Sequence, residues 1–148
     1  MQKVNQLIVL LVALTLMTTG CKKDTEVKPK TREELLMGKS WKITALTVNP
    51  AVNGSTDVYA NTLACINDNR YEFKTGGVLT IDEGPTKCDP ADPQTSQGTW
   101  SLNADKTQLT MTIDSDVTVV TITELTESTL KGQSTQGIYT LSITYQRQ

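Results

Sequence analysis

Between residues 107 and 113 every second side chain is apolar: Leu109, Met111 and Ile113 alternate with Gln108, Thr110 and Thr112. A repeat of two sends alternate side chains to opposite faces of a strand, and it cannot build the stripe of an amphipathic helix. The same beat runs through Ser40 to Val48, with Trp41, Ile43 and Ala45 set against Lys42 and Thr44. It returns in Arg70 to Lys74 (Tyr71, Phe73), Val78 to Asp82 (Leu79, Ile81) and Gln97 to Leu102 (Trp100, Leu102). Ile138 to Gln146 carries Tyr139, Leu141, Ile143 and Tyr145 on one face. Val117 to Glu124 and Thr129 to Gln133 complete eight expected strands. Threonine supplies 25 of 148 residues; it is β-branched and suits a pleated face that stays wet. The class is all-β.

The links between these strands are mostly short. Gly76-Gly77, Asn103 to Lys106 and Asp114 to Asp116 read as turns, and Gly132 and Gly137 bracket the last one. Two longer loops are expected, Asn49–Asn69 and Glu83–Ser96, the second with three prolines. Short links favour a meander, and eight meandering strands close into an antiparallel up-and-down barrel without exposed edges. A two-sheet sandwich fits the same pattern. Ahead of the strands, Thr31 to Gly38 reads as a short helix. Thr31 caps it, Glu34 completes a capping box, and Gly38 follows its last residue. Leu35 and Leu36 would plug one end of the barrel.

The first twenty residues read as a leader. Lys3 precedes an 11-residue apolar run, Leu7 to Met17, too short for a spanning helix of about 20 residues. Thr18-Thr19-Gly20-Cys21 follows. This stretch resembles a bacterial lipoprotein signal, in which the cysteine sulfur takes up diacylglycerol, the chain is cut before it and the new amine is acylated. Gly20 and Cys21 fit that pattern; Thr18 stands where leucine is usual. The resemblance implies a partner membrane, held through lipid on Cys21. Two or more acyl chains give stable anchoring. Residues 21–30 are charged and contain Pro29, and they read as a solvated tether reaching roughly 30 Å. Its lysines followed by acids look like a surface-export signal. The expected location is the outer membrane of a bacterial cell envelope, with the cell surface as the further possibility.

One domain, residues 31–148, remains, which is long enough for a single core. The full chain carries a formal charge of −2, and losing Lys3 with the leader makes the rest one unit more negative. No basic cluster exists, so nucleic acid is not an expected partner. Cys65 and Cys88 are an even pair in an exported domain, which makes a disulfide the default reading. A metal site competes poorly, because the chain has no histidine and neither cysteine lies in a CxxC pair. Without histidine no Ser-His or Cys-His nucleophile can be built, and no Gly-rich phosphate loop or other cofactor motif is present. The acid pairs Asp82-Glu83, Asp89/Asp92 and Asp114/Asp116 have the chemistry of a glycosidase or a calcium site. All lie in expected turns, where Asp is favoured for backbone reasons alone. No enzyme is expected.

Several segments together carry a family resemblance: Leu35 to Ile43, Cys65 to Phe73, Gly76-Gly77, Cys88, Gly98 to Leu102 and Leu125 to Leu130. They resemble the lipocalin-like domain of Bacteroidetes lipoproteins, over nearly all of residues 31–148. The resemblance implies an eight-stranded barrel and a Cys65–Cys88 bridge, and it says little about a ligand. In lipocalins a tryptophan early in the first strand packs across the barrel floor and a late arginine stacks on it, which points to Trp41 and Arg147. Gly38 and Trp41 are separated by two residues, one more than the usual Gly-x-Trp.

Trp41, Ile43, Tyr71, Phe73, Trp100, Met111, Tyr139 and Tyr145 are the candidate ligand-binding set. They either fill the core, as small barrels require, or partly line a pocket open at one end. Two functions follow. One is a non-enzymatic module holding a small, mostly apolar ligand. The other is a filled-core interaction or structural lipoprotein that recognises a protein or glycan through its long loops. A continuous cavity of several hundred Å³ separates them.

Overall fold

The computed structural model describes residues 28–148. The expected leader, the expected lipidation site Cys21 and most of the expected tether lie outside the described residues. Helix α1 spans Arg32–Leu36, and the capping box is reciprocal. Glu34 N–H donates to the Thr31 hydroxyl at 3.2 Å, and Thr31 N–H donates to the Glu34 carboxylate at 2.6 Å. Two first-turn amide protons thereby find partners. Met37 ends the helix and Gly38, at φ +89°, turns the chain away.

Nine strands follow: β1 Ser40–Val52, β2 Ser55–Asp57, β3 Arg70–Phe73, β4 Val78–Asp82, β5 Thr95–Leu102, β6 Gln108–Ile113, β7 Asp116–Leu125, β8 Thr129–Gln136 and β9 Tyr139–Arg147. All neighbours pair antiparallel. The order is β2-β1-β3-β4-β5-β6-β7-β8-β9, and β1 also pairs with β9. Without β2, the remaining eight strands form a closed ring. This is the expected up-and-down barrel and not the sandwich.

The span expected as a loop, Asn49–Asn69, is largely ordered structure. β1 continues to Val52, and Asn53-Gly54 is a two-residue hairpin turn into β2, with φ +50° and +81°. Asn-Gly serves this turn because both positions need positive φ. A one-turn 3-10 helix, Tyr59–Asn61, and the short helix α2, Ala64–Asn67, complete the segment. β5 likewise begins at Thr95, inside the second expected loop, where Thr95 and Ser96 pair with Asp82 and Ile81. Gly132 lies within β8 and does not bracket a turn; Gly137 alone, at φ +60°, does.

A bulge corrects the expected face of β1. Ile43 pairs with Tyr145 but Ala45 pairs with Thr144, so Thr44 is the extra residue. Directly opposed residues share a face, and an extra residue shifts every later side chain to the other side. Trp41 and Ile43 therefore face inward, and beyond the bulge Leu46 and Val48 do, opposite Ile143 and Leu141. Ala45 faces outward. A second irregularity, at Thr123 between Ile122 and Glu124, does the same to β7.

The core fills one end of the barrel. Leu36, Trp41, Leu79, Leu109 and Leu130 are wholly buried, and Phe73 packs edge-on against Trp100 with centroids 5.4 Å apart. Helix α1 covers this floor. Arg32 donates to Lys106 O at 2.9 Å, Lys106 pairs with Glu33 at 2.6 Å and Lys30 pairs with Glu127 at 2.9 Å. The opposite end, the mouth, is framed by the β1–β2 hairpin, the β6–β7 and β8–β9 turns, and segment 83–94. Cys65 and Cys88 are bridged, with Cα atoms 5.2 Å apart, which ties α2 to that last segment. Asp68 strengthens the tie by accepting from Thr86 N–H at 3.0 Å.

Candidate ligand cavity

Towards the mouth, above the packed core, a cavity of about 380 Å³ remains. Its apolar wall is Met111 and Ile113 of β6 with Ile143 of β9. Tyr71 of β3 and Tyr145 of β9 stand edge-to-face, 5.7 Å between centroids at 84°, and close it on the floor side. Thr118, Asp114 and Asp116 complete the lining. β3 and β9 lie across the ring from β6 and β7, so the space belongs to the barrel lumen. Other hollows lie elsewhere. One of about 340 Å³ rests against the β1–β2 hairpin (Val48, Val52, Asp57, Asn61), and one of about 300 Å³ flanks the floor (Met37, Gly76, Trp100, Lys106). One of about 420 Å³ is lined by Val119, Thr121, Gln133 and Thr140; Thr121 pairs with Gln133 beside the inward Ile122, so it is on the outer face.

Local sequence explains the lining. Met111 pairs with Thr118, and Ile113 with Asp116, so all four side chains share the inner face. Asp114, at φ +54°, occupies the left-handed position of the β6–β7 turn, which Asp tolerates better than most residues. Gly132, opposite both Ile122 and Ile143, presents no side chain to the lumen, and Val120 packs into the place a Cβ would take.

Burial raises the Tyr71 phenol above its ordinary value, and the nearby Glu83 carboxylate adds to the shift. Burial, followed by the neighbouring Tyr71, raises Tyr145. Both therefore enter the cavity as neutral hydroxyl groups at physiological pH. The charges on the lining are the Asp114 and Asp116 carboxylates, and neither forms an ion pair among the described residues.

Of the eight sequence candidates, Tyr71, Met111 and Tyr145 come together in this lining. Trp41, Phe73 and Trp100 do not reach it; they are buried in the floor, where Trp41 Nε1 donates to Leu36 O at 2.8 Å and Trp100 Nε1 to Lys74 O at 2.9 Å. Ile43 packs on the core opposite Tyr145 and is not part of the lining. Tyr139 is half-buried at the mouth end of β9, opposite Gln136, and is not part of the lining. Ile113, Asp114, Asp116, Thr118 and Ile143 are lining residues that the candidate set lacks. Alternation places Ile113 and Ile143 on the inner face, but height along the barrel separates wall from floor. No group of three or more His, Cys, Asp or Glu is placed to hold a metal among the described residues.

Residues 36–132, more than half of the chain, match the family model described as a lipocalin-like domain. A search of curated proteins finds no match.

Proposed function

The chain belongs to the lipocalin-like domain family, and on that premise we propose that it is a lipid-anchored, non-enzymatic binding protein that holds a small, mostly apolar molecule at the barrel mouth. The family's fold is generally a binding scaffold rather than a catalyst. The observation that carries the reading is the lumen cavity. Its volume of about 380 Å³ falls within the roughly 300–1,000 Å³ of ligand sites, and its wall of aliphatic and aromatic side chains with a few polar groups is their usual chemistry. A barrel filled to its mouth would have favoured recognition through loops alone.

Anchoring through Cys21 rests on the leader and on Gly20-Cys21. The described chain enters at the floor, where Thr31 caps α1 and Lys30 pairs with Glu127. A lipid on Cys21 would therefore tether the barrel from its floor end, on the outer membrane of a bacterial cell. Labelling with a radioactive fatty acid tests this. Cys21→Ala should lose the label and leave the membrane fraction, and an unlabelled wild type would refute it.

Native mass spectrometry of protein purified from its own host tests the binding role. A small molecule should travel with the folded protein and be absent from Ile143→Trp, which fills the cavity. Wild-type protein of bare mass, unable to take up any apolar probe, would contradict the reading.

A second reading has one observation of its own. Val52, Leu63, Ile66, Val117 and Ile138 are large apolar residues left exposed, and all sit at the mouth end. A protein or glycan docking on the rim would cover them.

A further inference from the structure

We propose that the cavity selects a ligand with an apolar body and a cationic amine head, the amine lying between Asp114 and Asp116 at the mouth and the body against Met111, Ile113 and Ile143. The proposal rests on the binding role above and specifies its ligand.

Asp114 alone would carry little weight. Its left-handed φ of +54° is reason enough for an Asp there. Asp116 is different. It is a strand residue paired with Ile113, on the face that Leu109 and Met111 share, and turn chemistry gives no reason for a carboxylate there. Both acids line the cavity and neither has a cationic partner among the described residues. Lys and Arg are absent from the lining, so the charge at the entrance has one sign; both carboxylates are exposed, and their field is screened by salt. An anion entering would meet two uncompensated carboxylates, whereas an ammonium would neutralise them.

Tyr145 is an independent observation pointing to a ligand here. It is 3% exposed and yet lines the cavity, and its hydroxyl makes no hydrogen bond to protein among the described residues. The hydroxyl is not among the buried unpartnered atoms and so opens on the cavity, where a guest can meet it directly. The Tyr71 and Tyr145 ring faces carry the negative end of the aromatic quadrupole, which also attracts cations. Carboxylates, ring faces and phenol oxygens all accept from an N–H donor; the phenol O–H groups could equally serve an anion, so it is the two carboxylates that set the sign of the head.

Phenylbutylamine, phenylbutanol and phenylbutyrate share one body and differ in the charge of the head. Titrating each into the full barrel domain at neutral pH and low salt, by calorimetry, reads the preference directly. The amine should bind about tenfold tighter than the alcohol, and the acid about tenfold weaker. The amine-to-alcohol ratio should fall towards one in the double variant Asp114→Asn, Asp116→Asn, where Asn keeps the left-handed turn position; added salt should shrink it in the wild type. An acid that binds as tightly as the amine, or a ratio that survives the double substitution, overturns the amine assignment and leaves the binding role standing. Failure of all three to bind overturns both.

Discussion

The Arg147 guanidinium sits over the Trp41 ring, 5.2 Å from its centroid, and locks helix α1 onto the barrel floor. The same group donates to Leu35 O at 2.9 Å, Met37 O at 2.6 Å and Glu127 O at 2.9 Å. One side chain from the last strand thus joins the helix, the first strand and the β7–β8 turn. Arg147→Met should cost about 2–4 kcal/mol in urea unfolding, since charge-assisted hydrogen bonds and a cation–π contact go together. Arg147→Lys should recover only part of this, because an ammonium cannot reproduce the planar fork. Unfolding indistinguishable from wild type in Arg147→Met would refute the locking role.

Gly132 is buried within β8, and a Cβ there would collide with Val120 Cγ1 and come within 2.8 Å of Thr121 O. Gly132→Ala is expected to destabilise the barrel by about 1–3 kcal/mol through overpacking. An unchanged urea midpoint would mean that β7 and β8 are further apart than described.

The Cys65–Cys88 bridge closes a segment with a sequence separation of 23. Replacing both cysteines with serine should lower stability by about 3 kcal/mol on the chain-entropy estimate. Amide exchange should rise most in segments 58–69 and 83–94, which the bridge holds together at the mouth. Exchange that rises instead in β6 and β7 would contradict this assignment.

Tyr71 and Tyr145 both have folded values above the ordinary 10.0. Above pH 10.0 the unfolded chain releases these protons while the folded chain retains them. Their contribution is therefore complete below that pH and is lost as pH rises through the folded values, at about 1.4 kcal/mol per pH unit for each group. Between about pH 9 and about pH 11, Tyr145→Phe should lose less stability than wild type. An equal loss in both would show that Tyr145 is not held neutral by burial.

The alternation at Leu109, Met111 and Ile113 and the capping pair Thr31 and Glu34 were legible because each is a local pattern that the fold obeys. Cysteine parity likewise pointed to the bridge. Thr44 and Thr123 were not legible, because a bulge is a relation between two strands and leaves no mark on the period of one. Ala45 was accordingly expected inside and lies outside. Asn53-Gly54 did carry a hairpin signal, but β2 is only Ser55–Asp57, too short to show an alternation of its own. The cavity was the least legible feature. Trp41 and Tyr145 both face inward, and only the stagger of the closed ring puts one in the floor and the other beneath the mouth. Asp116 read as a turn acid until its pairing with Ile113 placed it on the inner face.

The central claim is that a small molecule enters the lumen at the mouth and stops above the floor. Methyl NMR during titration with phenylbutanol tests it most directly. The account predicts shifts at the methyls of Met111, Ile113 and Ile143, with Leu36, Leu79 and Leu130 unmoved and the response abolished in Ile143→Trp. Shifts confined to the outer face around Val119, or no shift at any lumen methyl, would contradict it.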